Sequence, residues 1–295
     1  MKILVTGAQG QVARSLVAAR SAHQVVAVGR PELDIADATS VRSCICSFAP
    51  DVVVNAAAYT AVDKAESDAE GAAAVNADGA RNVAMACVDR GIPIVHISTD
   101  YVFDGTKAGS YLEVDSPSPL GVYGRTKLAG ENAVAAANPR HVILRTAWVF
   151  SPYGQNFVKT MLRLAAARPQ LSVVDDQHGS PTYAPHLADA ILALLTRMEQ
   201  QPQDIDWGIF HAAGDGETTW CGLAREVFQV LREAGGPNAT VIPIPTLDYP
   251  TPAKRPANSR LDCRKLKRTF GIVLPHWTAG VAQCVPDLLS AAQQS

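Results

Sequence analysis

The 295-residue sequence predicts an α/β fold, a doubly wound parallel sheet followed by a smaller C-terminal α/β domain. Three observations predict it. Short β-branched runs alternate with helical spacing through the first half. A glycine-rich turn stands between the first strand and the first helix. Beyond residue 150 the alternation loosens and proline becomes common, notably in Pro237–Pro256.

In chain order, Ile3–Val5 reads as a strand, Gln11–Arg20 as a helix and Gln24–Val28 as a second strand. Asp51–Ala56 is a near-continuous apolar run, the pattern of a strand buried on both faces. Glu66–Arg90 has helical spacing and few breakers. Ile92–Ile97 is a strand stopped by Ser98-Thr99-Asp100. Leu120–Ala137 reads as a helix with its lead-in, and His141–Val149 as a strand. This order implies right-handed crossovers. In the second half, Asn156–Arg168 and Pro185–Met198 read as helices. Gly208–Ala213 reads as a strand returning to the main sheet. Thr219 caps a helix that runs to Ala234, ahead of Gly235-Gly236. The boundary is expected near residue 150: 1–150 forms the first domain, 151–295 mainly the second, and the chain returns to the first around 185–215.

Composition excludes several classes. The formal net charge is −2, which leaves no footprint for nucleic acid. No apolar run is long enough to span a bilayer. Met1–Gly7 reads as a strand rather than a signal peptide, so a cytoplasmic location is expected. The six cysteines, Cys44, Cys46, Cys87, Cys221, Cys263 and Cys284, show no zinc-type spacing. They are expected to be reduced and mostly buried.

Gly7-Ala-Gln-Gly10-Gln11-Val12-Ala13 lies at the strand-to-helix turn. Backbone can approach a pyrophosphate there only where side chains are absent, which accounts for Gly7 and Gly10. The pattern is GxxGxxA, and Ala13 still permits close packing of helix on strand. The fold is therefore expected to be of the Rossmann type and to bind a dinucleotide. At the end of the second strand, Val28-Gly29 is followed by Arg30, not an acidic residue. A guanidinium suits the ribose phosphate of NADP, so NADPH is expected over NADH. Asp34 and Ile35 place a carboxylate and an apolar wall near the adenine.

Tyr123-Gly-Arg-Thr-Lys127 puts an ammonium and a phenol on one helix face. A nearby positive charge favours the ionised phenol, whose ordinary pKa is about 10. A phenol so lowered can donate its proton to a carbonyl oxygen as hydride reaches the carbon. Thr99, at the end of the preceding strand, can hydrogen-bond the same oxygen. Strand C-terminal ends are where such sheets bind ligands.

These segments, with Asp51–Glu66, Ser98–Gly105, Tyr123–Glu131, Leu144–Val149, Asp176–Thr182 and Arg255–Leu261, carry an end-to-end resemblance. The chain resembles the dTDP-4-dehydrorhamnose reductases, extended short-chain dehydrogenases of nucleotide-sugar metabolism. The resemblance implies reduction of a sugar 4-keto group, dTDP-4-dehydro-L-rhamnose to dTDP-L-rhamnose, with NADPH or NADH. It makes Tyr123 the proton donor. Lys127 tunes that phenol and holds the nicotinamide ribose, and Thr99 contacts the reacting oxygen. It puts Gly10, Gln11 and Val12 on the pyrophosphate, and Asp34 and Ile35 by the adenine. Ala58, Tyr59 and Thr60 fall on the ribose and nicotinamide side, and Ala56 is a further cofactor contact. Thr99, Asp100 and Trp148 line the sugar site. Arg255 is a further candidate, a Pro-flanked cation for the substrate diphosphate.

Members of this family with a magnesium ion at a dimer interface carry acidic side chains where this chain has Ser15 and Pro185. No such metal is therefore expected, and the chain is expected to be a monomer or a homodimer formed in another way. Related 4,6-dehydratases carry Asp-Glu after the threonine; here Asp100 is followed by Tyr101. Alternatives are another nucleotide-sugar reductase or an epimerase of the superfamily. A further alternative is a non-catalytic dinucleotide-binding subunit resembling the methionine adenosyltransferase β subunit.

Overall fold

The computed structural model describes residues 1–237 and 239–293. Its main sheet is built from β1 (Lys2–Thr6), β2 (Gln24–Val28), β3 (Val52–Asn55), β4 (Ile94–Thr99), β5 (His141–Thr146) and β6 (Gly208–His211). Every pairing in it is parallel, and the strand order is β6-β5-β4-β3-β1-β2. The chain leaves β1 to one side and returns to its other side as β3, so the topological switch point falls between β1 and β3.

Both faces of the sheet are covered, because its strands are apolar at consecutive positions. On β1, Ile3 and Val5 point to one face and Leu4 to the other, and all three are fully buried. Ile3 and Val5 pack with α1 (Gln11–Ala18) and the helix Ala184–Gln200 in one core. Leu4 packs with α2 (Ala38–Phe48) and α3 (Ala80–Asp89) in another. A third core, with Val158, Val173, Val227, Phe228 and Val281, belongs to the second half. It joins the helices Phe157–Ala165, Trp220–Glu233 and Trp277–Gln293 to the paired strands Gln170–Val174 and Thr240–Ile244. The return strand reads correctly from sequence: Gly208 pairs beside Val142 of β5.

Three elements differ from the sequence reading. The segment expected to be a helix from Glu66 starts instead at Ala69, where Asp68 accepts from Gly71 N, and it contains a π-turn at Ala74–Gly79. The wide turn lets Asn76 bond Tyr59 N and Thr126 Oγ1 rather than face solvent. The strand expected through Val149 ends at Thr146, because Trp148 has a left-handed backbone (φ 48°) that an extended ladder excludes. Val149–Phe150 then pairs with Thr182–Tyr183. Finally, the proline-rich stretch hides the strand Thr240–Ile244, tolerated where, among the described residues, one strand pairs with it.

All six cysteines are free thiols; Cys87, Cys221 and Cys284 are buried, whereas Cys46 is exposed. Among the described residues, no helix is long and apolar enough to cross a membrane.

Candidate active site

The site opens where the sheet changes direction. Gly7 follows β1 with φ +78°, and a Cβ there would lie 2.8 Å from Ala57 Cα and 2.9 Å from Ala57 N. Glycine is thus required both by conformation and by the approach of the β3 loop. Gly10 occupies the N-cap of α1, and no side chain caps that helix. Its first turn therefore presents backbone N–H groups and a positive dipole end, the arrangement that receives a pyrophosphate. Gln11 is tied down from beyond β5: its Oε1 accepts from Ser151 Oγ at 2.8 Å and Asn156 Nδ2 at 2.9 Å.

Polar side chains brace the strand ends. Ala57 N donates to Thr6 Oγ1, which donates 2.6 Å to Asn55 Oδ1. Asn55 Nδ2 then donates 3.0 Å to His96 Nδ1. At the β2 end, Arg30 is exposed beside the cavity. Asp34 Oδ1 accepts from Ala36 N, and Ile35 is buried.

Tyr123 sits in the first turn of α4 (Val122–Ala137), and Lys127 lies one turn further on the same face. Lys127 is 2 % exposed, and its Nζ donates 2.7 Å to Ile97 O of β4. Burial depresses its pKa to about 8, with Glu131 opposing. The expected lowering of the phenol by Lys127 is not found. Burial pushes the Tyr123 hydroxyl above its ordinary value; Thr99 pulls it down through a hydrogen bond, and Asp100 and Tyr101 push it up. Thr99 Oγ1 donates 2.9 Å to Asp100 Oδ1, and Asp100 Oδ2 is buried with no partner. Burial raises the Asp100 carboxyl to about 6, against the hydrogen bond from Thr99.

The far wall is aromatic. Trp148 stacks on Trp220 with ring centroids 3.6 Å apart and an interplanar angle of 7°. Gly179 lies directly behind: a Cβ there would stand 2.4 Å from Trp148 Cε2. Arg255 closes the rim, with Nη2 donating 3.0 Å to Asp63 Oδ2 and its Nε buried without a partner.

One cavity of about 820 Å³ joins these parts. It is lined by Gly7, Gly10, Gln11, Val12, Arg30, Asp34 and Ile35 at the dinucleotide end. Ala56, Ala58 and Thr60 lie along it, as do Thr99, Asp100, Tyr123, Lys127, Trp148 and Arg255. Tyr59 is not among the lining residues: its hydroxyl donates 3.0 Å to Asp68 Oδ2, outside the cavity. Sequence reasoning missed Tyr101 and Trp220, which also line it. Tyr101 meets the Tyr123 ring edge-on at 5.5 Å. Trp220 carried no local signal, since at a helix start it reads as core. Ser15 and Pro185 lie elsewhere, Ser15 Oγ donating to Gln11 O and Pro185 in the first turn of its helix. Among the described residues, no three His, Cys, Asp or Glu side chains cluster as a metal would require.

A parallel sheet that opens on such a cradle at its switch point, with Tyr and Lys one turn apart beside it, defines the extended short-chain dehydrogenases, nicotinamide-dependent oxidoreductases. Comparison with known proteins narrows the class. A family model described as RmlD substrate binding domain matches residues 1–290. The dTDP-4-dehydrorhamnose reductase of Sinorhizobium fredii is 50% identical over 290 residues, covering 98% of this chain and 98% of that protein. The crystal structure of a dTDP-4-dehydrorhamnose reductase from Clostridium acetobutylicum superposes with TM-score 0.90 at 38% identity, covering 98% of this chain and 100% of that one. The Bacillus anthracis dTDP-4-dehydrorhamnose reductase, solved in complex with NADP, gives TM-score 0.88 at 32% identity, covering 97% and 99%. The chain belongs to the dTDP-4-dehydrorhamnose reductase family.

Proposed function

We propose that the chain reduces the 4-keto group of dTDP-4-dehydro-L-rhamnose to give dTDP-L-rhamnose, a step of dTDP-rhamnose biosynthesis, with NADPH as preferred cofactor and NADH as a substitute. The observation that carries this reading is the single cavity in which an uncapped glycine cradle and the Thr99, Tyr123, Lys127 set face the same space. The donor set fits a dinucleotide, since the cradle at Gly7 has no room for a Cβ and the α1 N-terminus is free of side-chain caps. Gly7, Gly10, Gln11 and Val12 would hold the pyrophosphate. Arg30 would hold the ribose phosphate, Asp34 and Ile35 would border the adenine, and Ala56, Ala58 and Thr60 would follow the ribose. When bound, the dinucleotide supplies the hydride that adds to C4 of the sugar.

The chain's own residues handle the proton and the charge. The Tyr123 hydroxyl donates its proton to O4 as negative charge develops there, and the Thr99 hydroxyl shares that oxygen. Burial keeps Tyr123 protonated before the reaction. Lys127, one turn along the same helix face, would hold the nicotinamide ribose. Asp100 Oδ2, buried and unpartnered, is available to a sugar hydroxyl. Trp148 supplies the apolar face against which the sugar ring rests. Arg255 meets the diphosphate, exchanging its contact with Asp63 for the ligand's charge. In this reading residues 1–150, with the return at 185–215, hold the cofactor, and 151–295 mainly hold the sugar nucleotide. The enzyme works in the cytoplasm as a monomer or homodimer without magnesium.

The test is NADPH oxidation followed with dTDP-4-dehydro-L-rhamnose and its UDP counterpart side by side. Turnover with the dTDP sugar is expected. Tight NADPH binding with no oxidation of either substrate would replace this reading with a non-catalytic dinucleotide-binding role.

A further inference from the structure

Beneath the Tyr123 face of α4 lies a buried charge cluster that the proposed chemistry leaves unexplained. Glu131 stands four residues after Lys127, on the same helix face, and is 1 % exposed. Its carboxylate is fully engaged. Oε1 accepts from Ser98 Oγ at 2.5 Å and from Arg145 Nε at 2.9 Å. Oε2 accepts from Arg145 Nη2 at 2.6 Å. Ser98 and Arg145 face each other across β4 and β5, so the sheet presents both donors to one point of the helix. Lys127, Glu131 and Arg145 together hold two positive charges and one negative charge.

A buried Arg–Glu pair is weak evidence of stabilisation, because desolvating both ions costs as much as their attraction returns. Here the carboxylate also lies one turn from an ammonium whose hydrogen-bond partner, among the described residues, is a backbone carbonyl. We propose that Glu131 is a positioning residue, the counter-ion shared between Arg145 and Lys127 that keeps Lys127 an ammonium inside the protein. Without it, two buried cations would lose their shared counter-charge, and the lysine is the one able to shed a proton. The consequence for catalysis rests on the reductase reading above; the charge relation itself does not.

The groups facing Lys127 leave its titration readable. Burial and Lys127 itself hold the His96 imidazole neutral on β4. His211, beside Arg145 on β6, is pushed down to about 3. Asp100, just past β4, titrates near 6, below the range of interest. Tyr123 on α4 titrates above it.

The experiment is a pH titration of the Lys127 ε-carbon by NMR in the full chain labelled with 13C-lysine, the signal assigned with Lys127→Arg. The expected midpoint in the unmodified chain is about 8. Glu131→Gln should lower it by about one unit, a tenfold loss of proton affinity. Arg145→Met, which leaves the carboxylate to Lys127 alone, should raise it. Glu131→Gln/Arg145→Met should bring it back to within about half a unit of the unmodified value. If Glu131→Gln does not fold, the comparison of Arg145→Met with the double variant isolates the same charge without a lone buried cation, and a drop of about one unit is again expected. The alkaline limb of kcat/KM should move in step. Midpoints that stay in place, or all move in one direction, would overturn the proposal. Midpoints that move as stated in a chain without reductase activity would sink the reductase reading and leave this one standing.

Discussion

Gly7→Ala tests the cradle in a way that separates conformation from contact. The backbone at Gly7 has φ +78°, which costs an alanine about 1–2 kcal/mol. Its Cβ would also meet Ala57 Cα at 2.8 Å and N at 2.9 Å, both backbone atoms that move only with the β3 loop. Forcing that shift costs a further ~1–3 kcal/mol, by analogy with overpacking in a core. The total is about 2–5 kcal/mol, a fall in Tm of roughly 4–10 °C at ~2 °C per kcal/mol for a chain of this size. Gly91→Ala is the control. Gly91 has φ +65° but nothing within 4 Å of its Cβ position, so only the conformational cost applies. Its Tm should fall by about 2–4 °C. Gly91 does not line the cavity, so NADPH affinity should be unchanged there, while Gly7→Ala should lose at least about tenfold, or ~1.4 kcal/mol. Thermal unfolding and NADPH fluorescence titration read the two quantities. If Gly7→Ala costs no more than Gly91→Ala and binds NADPH equally well, the cradle argument is wrong.

Three other perturbations probe separate parts of the cavity. Arg30→Ala should weaken NADPH roughly tenfold or more, the scale of one charge-assisted hydrogen bond, and leave NADH within about twofold; equal losses in a binding titration would remove Arg30 from phosphate recognition. Gly179→Ala should displace Trp148, whose Cε2 lies 2.4 Å from the added Cβ, and lower kcat/KM for the sugar nucleotide by roughly 10-fold or more with NADPH affinity kept. An unchanged kcat/KM would take Trp148 out of the sugar site. Asp100→Asn should flatten the pH dependence of stability. A carboxyl raised from 3.8 to about 6 in the folded protein contributes stability below its unfolded pKa and loses it as pH climbs through 6. The unmodified chain should therefore lose Tm between pH 4 and 6 relative to the variant, and parallel Tm curves would contradict the assignment.

The main sheet was legible because each parallel strand is a short apolar run between punctuation marks, and such runs survive any tertiary context. Gly208 could be sent back to the sheet on that pattern alone. Trp148 could not be placed, since nothing local distinguishes a tryptophan in left-handed backbone from one extending a strand; the break is imposed by the pairing of Val149–Phe150 with Thr182–Tyr183. The π-turn at Ala74–Gly79 follows from Asn76 reaching Tyr59 and Thr126, contacts made across 17 and 50 residues. The cavity divides in the same way. Gly7, Gly10, Tyr123 and Lys127 announce themselves by spacing next to a strand or along a helix. Trp220 and Tyr101 reach the cavity through packing with Trp148 and Tyr123, which spacing does not encode. The direction of the Tyr59 hydroxyl was likewise not legible, since its loop borders the cavity while that group turns to Asp68. The upward shift of the Tyr123 phenol also escaped sequence reasoning, because it depends on how deeply that group is buried.

The account stands on Tyr123 giving its proton to the reacting oxygen within this cavity. The most direct measurement is NADPH oxidation with dTDP-4-dehydro-L-rhamnose by the unmodified chain and by Tyr123→Phe, with NADPH binding measured on both. The account predicts turnover at least ~100-fold lower in the variant, the usual scale for loss of a general acid, with NADPH affinity largely retained. Equal turnover by the two proteins would contradict it.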